Sequence, residues 1–184
     1  MRSYRQAKIK MAEIIKANID DIKELQRICR QSYTKVFANH WTDDGLDLYL
    51  KEQFNKNRLI NELNNSTYNY FFIRKNKENI GFAKINYKTE EELSDLDNCE
   101  LEKIYIFPNY SGLGIGKSVM ENLIMKAKNL GKKLMYLCVI DTNLSAIAFY
   151  KKLGFQYHSK TRLDAPLFKE ELRGMNRMYL NLDN

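Results

Sequence analysis

The sequence predicts an α/β or α+β fold, a sheet with helices packed on it rather than a repeated doubly wound sheet. A glycine turn, Asn109 to Ser118, joins a short apolar run ending at Pro108 to a long amphipathic stretch, which reads as strand, turn and helix start. Tyr68 to Arg74 and Ile80 to Tyr87 flank the polar residues Asn76-Lys77-Glu78-Asn79, which reads as a hairpin. The whole order is strand, helices, hairpin, strand, helix, strand, helix and two strands. With 184 residues, 44% of them hydrophobic, residues 1–184 are expected to form one domain with a substantial core.

Lys8 to Ile15 is a candidate first strand. Asp20 is placed to cap a helix in which Ile22, Leu25, Cys29, Tyr33 and Val36 form an apolar stripe. Two shorter helices are expected around Leu46 to Phe54 and Arg58 to Leu63, ended by Asn64-Asn65-Ser66. After the hairpin, Glu90, Glu91, Glu92, Asp95 and Asp97 crowd an acidic loop, whose simplest role is to face water. A strand from Glu100 to Phe107 leads into the glycine turn. In the helix beyond it, Ile115, Val119, Leu123, Ala127 and Leu130 recur near the helical period, and Gly131 stands where a left-handed C-cap belongs. Lys133 to Ile140 reads as a buried strand, Asn143 to Leu153 as an amphipathic helix and Gly154 as its stop. Phe155 to Lys160 and Met175 to Leu182 are the last strands, joined by a loop with Asp164, Pro166 and Phe168.

Gly112, Gly114 and Gly116 alternate where a helix begins, so several N-H groups can converge on one anion near the positive end of the dipole. The stretch Ser111, Gly112, Leu113, Gly114, Ile115, Gly116, Lys117 and Ser118 is therefore a candidate phosphate cradle, set against a simple softened turn. It is not Gly-x-Gly-x-x-Gly, because the sixth position from Gly112 is Lys117. It nearly fits a P-loop, since Gly116, Lys117 and Ser118 are in place and Leu134 to Asp141 resembles a strand ending in a magnesium-binding Asp. The first glycine of that motif would however fall on Ser111. A nucleotide hydrolase stands as the alternative on that ground.

Composition excludes several classes. No apolar run approaches the roughly 20 residues of a membrane span, and the basic start, Met1 to Lys10, has no signal-peptide core behind it. A cytoplasmic protein is expected. Cys29, Cys99 and Cys138 are far apart with only His40 and His158 to assist, which argues against a zinc site or disulfides; Cys138 reads as a buried thiol. The formal charge of +7 is spread along the chain and mixed with acids, which fits a polyphosphate cofactor better than nucleic acid.

The second informative stretch runs from Asn143 to Phe155, where Ala146, Phe149, Tyr150 and Leu153 share a helical face and Asn143 sits at the cap. Asn-x-x-Ala-x-x-Phe-Tyr-x-x-x-Gly-Phe, preceded by a strand, Pro and the Gly-x-Gly-x-Gly turn, resembles the GNAT superfamily of acetyl-CoA-dependent N-acetyltransferases over Leu101 to Phe155. The resemblance implies a mixed, mostly antiparallel sheet of about seven strands with helices on both faces. It implies that the backbone of Ile104, Tyr105 and Ile106 lies along the pantetheine arm and that Ser111 to Lys117 hold the pyrophosphate. Asn143 would contact the pantetheine end and Tyr150 would protonate the departing thiolate. The family usually carries Arg or Gln at the place of Ser111, a loss that Lys117 is placed to offset. No metal is implied, and a coenzyme-A-binding module without catalysis is the further alternative.

An alkyl amine with a pKa of about 10.4 is free base in only about one part in 2,500 at pH 7, equivalent to roughly 4.6 kcal/mol, so a proton acceptor is needed. Glu100 and Glu102 alternate with Leu101 and Lys103, which points both carboxylates to one face of the strand. Glu102 is the first candidate base, directly or through water, and Glu100 the second, each set against a plain strand charge paired to lysines. With the acidic loop they would make a negative mouth in a basic protein, favouring cationic amines. Similarity to bacterial spermidine/spermine N-acetyltransferases in Tyr33 to Leu63 and Glu100 to Ile106 points the same way, to a polyamine, another primary amine or a lysine-like acceptor. His40 and Trp41 are a second substrate-side candidate pair, set against packing at a helix junction. The loop from Leu163 to Gly174 is placed to cover a site or a homodimer partner.

Overall fold

The structure, a computed structural model, describes residues 12–88 and 97–183. The chain forms β1 (Glu13–Lys16), α1 (Ile22–Phe37), α2 (Gly45–Gln53), α3 (Lys56–Leu63), β2 (Tyr68–Lys75), β3 (Glu78–Asn86), β4 (Asn98–Ile106), α4 (Ile115–Asn129), β5 (Leu134–Ile140), α5 (Leu144–Lys152), β6 (Gln156–Arg162) and β7 (Gly174–Asn181). One sheet of seven strands runs in the order β1-β2-β3-β4-β5-β7-β6. Only β4 and β5 pair in parallel; the other neighbours are antiparallel.

Each face of the sheet carries its own core. Leu25, Ile28, Cys29 and Tyr33 of α1 and Leu59 of α3 bury Phe72 and Phe82 on one side. Val119, Met120, Leu123 and Ala127 of α4 cover Phe71, Ile73, Ala83 and Leu137 on the other, with α5 packed alongside. Alternation along β2 and β3 sends neighbouring side chains to opposite cores, which is why both strands are buried along their middles, Asn69 to Ile73 and Ile80 to Ile85.

Several boundaries differ from the sequence expectation for local reasons. Asn18, not Asp20, caps the first helical segment: its side chain accepts from the Asp20 amide at 2.8 Å while its own amide donates to Asp21 at 2.9 Å. That capping box opens a 3-10 turn, Ile19–Asp21, which runs into α1. Asn76 and Lys77 both take positive φ, so the hairpin turns on two residues and its strands reach Lys75 and Glu78. Leu130 is 59% exposed and does not join the α4 stripe, because the helix ends one residue earlier. Gly131 and Gly154 take left-handed φ of 78° and 95°, closing α4 and α5 as their positions predict. Most of the acidic loop, and the Lys8 to Met11 part of the expected first strand, lie outside the described residues.

Candidate active site

The site begins as a defect in the sheet. β4 and β5 share register only over Asn98, Cys99 and Glu100 against Leu134, Met135 and Tyr136. Past those pairs the strands part, and Lys103 to Ile106 face Leu137 to Ile140 across a cavity of about 650 Å³. A bulge explains the parting. Lys84 of β3 pairs with Lys103 and Ile85 with Leu101, so Glu102 has no partner in the ladder. An extra residue bends a strand and strengthens its twist. It also reverses side-chain parity, so Leu101, Ile104 and Ile106 face one core while Tyr105 faces the other and Phe107 touches both.

At one end of the cavity stands the start of α4. Gly112 and Gly114 hold φ of 74° and 73° with open space where a Cβ would be, and no side chain caps the helix. The first amides of the helix, from Ile115 to Lys117, therefore have no intrahelical acceptor. This turn offers free N-H groups, positive dipole and room for a diphosphate. Among the turn residues, Ser111 and Gly116 line the cavity, while Gly112, Leu113, Gly114, Ile115, Lys117 and Ser118 do not. Ile115 and Ser118 turn inward and are buried, so only their backbone is available to a ligand. Lys117 is largely exposed and lies 3.7 Å from Glu121.

Asn143 lines the same cavity from the start of α5. Its Oδ1 accepts from the Ala146 amide at 3.1 Å and from Ser145 at 3.0 Å, which leaves the amide nitrogen for a ligand. One helical turn and more beyond, Tyr150 packs edge-on against Phe149 and Phe155 and borders the cavity. Burial pushes its phenol up to about 12.

The cavity continues to the opposite face of the sheet, where Tyr33, Phe37, Tyr49, Leu163 and Phe168 line it. Tyr33 stacks on Tyr49 at 4.4 Å and meets Tyr105 edge-on at 5.6 Å. Sequence reading placed Tyr33 in the apolar stripe and gave Tyr49 no part, since an aromatic on a helix face looks the same whether it meets a core or a cleft. His40 and Trp41 do pack at a junction: Trp41 bridges to Phe168, and Lys169 donates to the His40 carbonyl at 2.9 Å. These contacts hold the loop after β6 over the cavity. Cys138 is not a fully buried thiol; it lines the cavity from β5.

Glu100 and Glu102 border the cavity together. Burial first, and then the charge of Glu102, raises the Glu100 carboxyl above the usual carboxylate range. The Tyr136 hydroxyl donates to Glu100 at 3.3 Å. Glu102 meets the Lys84 ammonium at 2.5 Å and that of Lys103 at 3.9 Å. These two lysines offset part of the charge of this pair; the acidic loop that the expected negative mouth also drew on lies mostly outside the described residues. Burial, followed by the nearby Lys84 charge, lowers Lys103 below the ordinary lysine range.

An opened strand edge, bare helix-start amides, a phenol and two carboxylates border one cavity, an arrangement that fits an acyl thioester. The chain belongs to the acetyltransferase (GNAT) family, whose family model matches residues 22–155. It is 26% identical over 150 residues to a spermidine N(1)-acetyltransferase of Thermoplasma acidophilum, covering 78% of this chain and 88% of that one. Over 83 residues it is 34% identical to a spermine/spermidine N(1)-acetyltransferase of Bacillus subtilis, covering 44% and 55%. Its fold matches the PaiA N-acetyltransferase of Thermoplasma acidophilum in complex with coenzyme A, with a TM-score of 0.74 at 21% identity over 92% of this chain and 98% of that one. The protein is an acetyl-CoA-dependent N-acetyltransferase, and the free amides and open strand edge described above fit that cofactor. None of the described helices is long and apolar enough to cross a membrane.

Proposed function

We propose that the protein acetylates a primary alkyl amine of the polyamine or lysine-like kind by direct attack, with Glu102 as base and Tyr150 as acid. The observation that carries this reading is the single cavity through the sheet, bordered by both carboxylates and by the phenol. Acetyl-CoA, when bound, supplies the acetyl thioester. The backbone of Ile104, Tyr105 and Ile106 has no strand partner on the β5 side and would hold the pantetheine arm, with Asn143 beside it. Ser111 to Lys117 would hold the diphosphate through their amides.

Glu102 lies at the parting of the strands and takes a proton from the incoming ammonium, directly or through water. Glu100, held above its ordinary range by burial and by the charge of Glu102, is the second holder of that proton. On the acceptor side, Tyr33, Phe37 and Tyr49 present rings suited to an alkylammonium chain. The names of the Thermoplasma and Bacillus relatives support a polyamine. The same reading takes residues 1–184 as one catalytic domain acting in the cytoplasm, and the loop after β6 as a cover of its own site.

A panel of amines incubated with acetyl-CoA, with free thiol detected, tests the proposal. Polyamines and other cationic alkyl amines are expected to release thiol well above the rate of anionic amines. Equal rates for the two groups would refute the acceptor class. No release with any amine would reduce the chain to a coenzyme-A-binding module.

A further inference from the structure

Behind Glu102 lies a buried chain of charges that the proposed chemistry has not used. Lys84 on β3 is 2% exposed. Its ammonium lies 2.5 Å from Glu102 Oε2 and 3.1 Å from Glu62 Oε2 on α3. Glu62 also accepts from the Tyr70 hydroxyl and, at 3.1 Å, from Arg58 Nε. The Tyr68 and Tyr70 rings lie 4.5 and 5.5 Å from the same ammonium.

Burying a lysine between two carboxylates is a poor route to stability, since well-packed apolar residues often do as well or better. What the lysine does supply is direction. Glu102 is the unpaired residue of the bulge, so the ladder does not fix where its side chain points. Both nearby ammonium groups approach Oε2.

We propose that Lys84 is a positioning residue: it fixes the Glu102 carboxylate at the cavity wall through Oε2, and Glu62 sets the strength of that hold by sharing the ammonium. The inference rests on the reading of Glu102 as base. The other groups facing Glu102 include Lys103, Glu100 and Tyr105 of its own strand, Tyr49 of α2 and Tyr70 of β2. Arg58 of α3 pairs with Glu62, and its charge also reaches Lys103 and Tyr49.

The test is the pH profile of kcat/KM in variants of opposite sign. Lys84→Met removes the cation from the carboxylate pair, so the acidic limb is expected to move up by about one pH unit or more, with a lower kcat. Glu62→Gln leaves the ammonium to Glu102 alone, so the limb is expected to move down. Should Lys84→Met fail to fold, the double variant Lys84→Met/Glu62→Gln removes one buried charge of each sign and is expected to show the same upward shift. A part confined to holding the scaffold together would lower the melting temperature and leave the limb in place in Glu62→Gln and in the double variant; that result overturns the inference. Glu102→Gln separates the two readings. If it keeps both rate and limb, the base assignment itself fails. If it abolishes the limb while the Lys84 and Glu62 variants leave theirs unmoved, only the positioning role fails.

Discussion

Burial sets what Tyr150 could do as the proposed acid. Its phenol, pushed up to about 12, keeps its proton at every physiological pH. A thiol near pKa 8.5 is the stronger acid by about 3.5 units, so complete transfer from Tyr150 to a thiolate is uphill by about 5 kcal/mol. The hydroxyl therefore serves best as a hydrogen-bond donor to sulfur as charge develops on it, and hands over its proton only as the phenol is itself resupplied. Tyr150→Phe keeps the ring against Phe149 and Phe155 and removes that donor. Steady-state kinetics should show kcat reduced by about 10²-fold or more, with KM for acetyl-CoA within about threefold. Undiminished kcat would remove Tyr150 from the chemistry.

At the scale of the element, the glycines separate two kinds of constraint. Gly81 of β3 lies so close to β4 that an added Cβ would overlap the Tyr105 carbonyl oxygen and sit 2.9 Å from Ile106 Cα. Backbone cannot move aside as a flexible side chain can, so Gly81→Ala should destabilise by about 2 kcal/mol or more. It should also raise KM for acetyl-CoA, because it pushes on the strand segment at the cleft. Gly114 has open space around it but a φ of 73°, so Gly114→Ala meets only backbone strain, about 1–2 kcal/mol. Thermal melts that rank Gly114→Ala as the more damaging change would contradict this assignment of causes. The same contrast explains what could be read from the sequence. Gly112, Gly114, Gly131 and Gly154 announced their turns because left-handed backbone is a local demand. Gly81 did not, because its constraint comes from a neighbouring strand. The bulge at Glu102 was hidden for a similar reason: nothing in Glu100-Leu101-Glu102-Lys103-Ile104 marks which residue loses its partner. Lys84 looked like one more strand lysine, since its partners Glu62 and Glu102 belong to other elements.

Over the whole molecule, the opened seam divides the sheet into two halves. β1 to β4 carry α1, α2 and α3 on one face, and β5, β7 and β6 continue beyond the seam. The halves share a ladder only at Asn98–Glu100 against Leu134–Tyr136, while β5 and β7 pair over the whole of β5. The element order foretold the sheet, and the paired motifs foretold a cofactor, but neither marked the strand edge left without a partner, where the cofactor is proposed to lie. A ligand lying between the strands braces two bodies that are otherwise held by a short ladder and by packing of α4 and α5. Coenzyme A at about 100 times its Kd is expected to stabilise the fold by about 2.7 kcal/mol, raising the melting temperature by roughly 5–10 °C. The location of the effect is the sharper test. Hydrogen exchange should slow at the amides of Glu100 and Tyr136, at the closed end of the seam, as well as at the α4 amides that meet the diphosphate. Protection at the start of α4 with unchanged exchange at the seam would mean that coenzyme A sits on one half alone, and the bracing role would be lost.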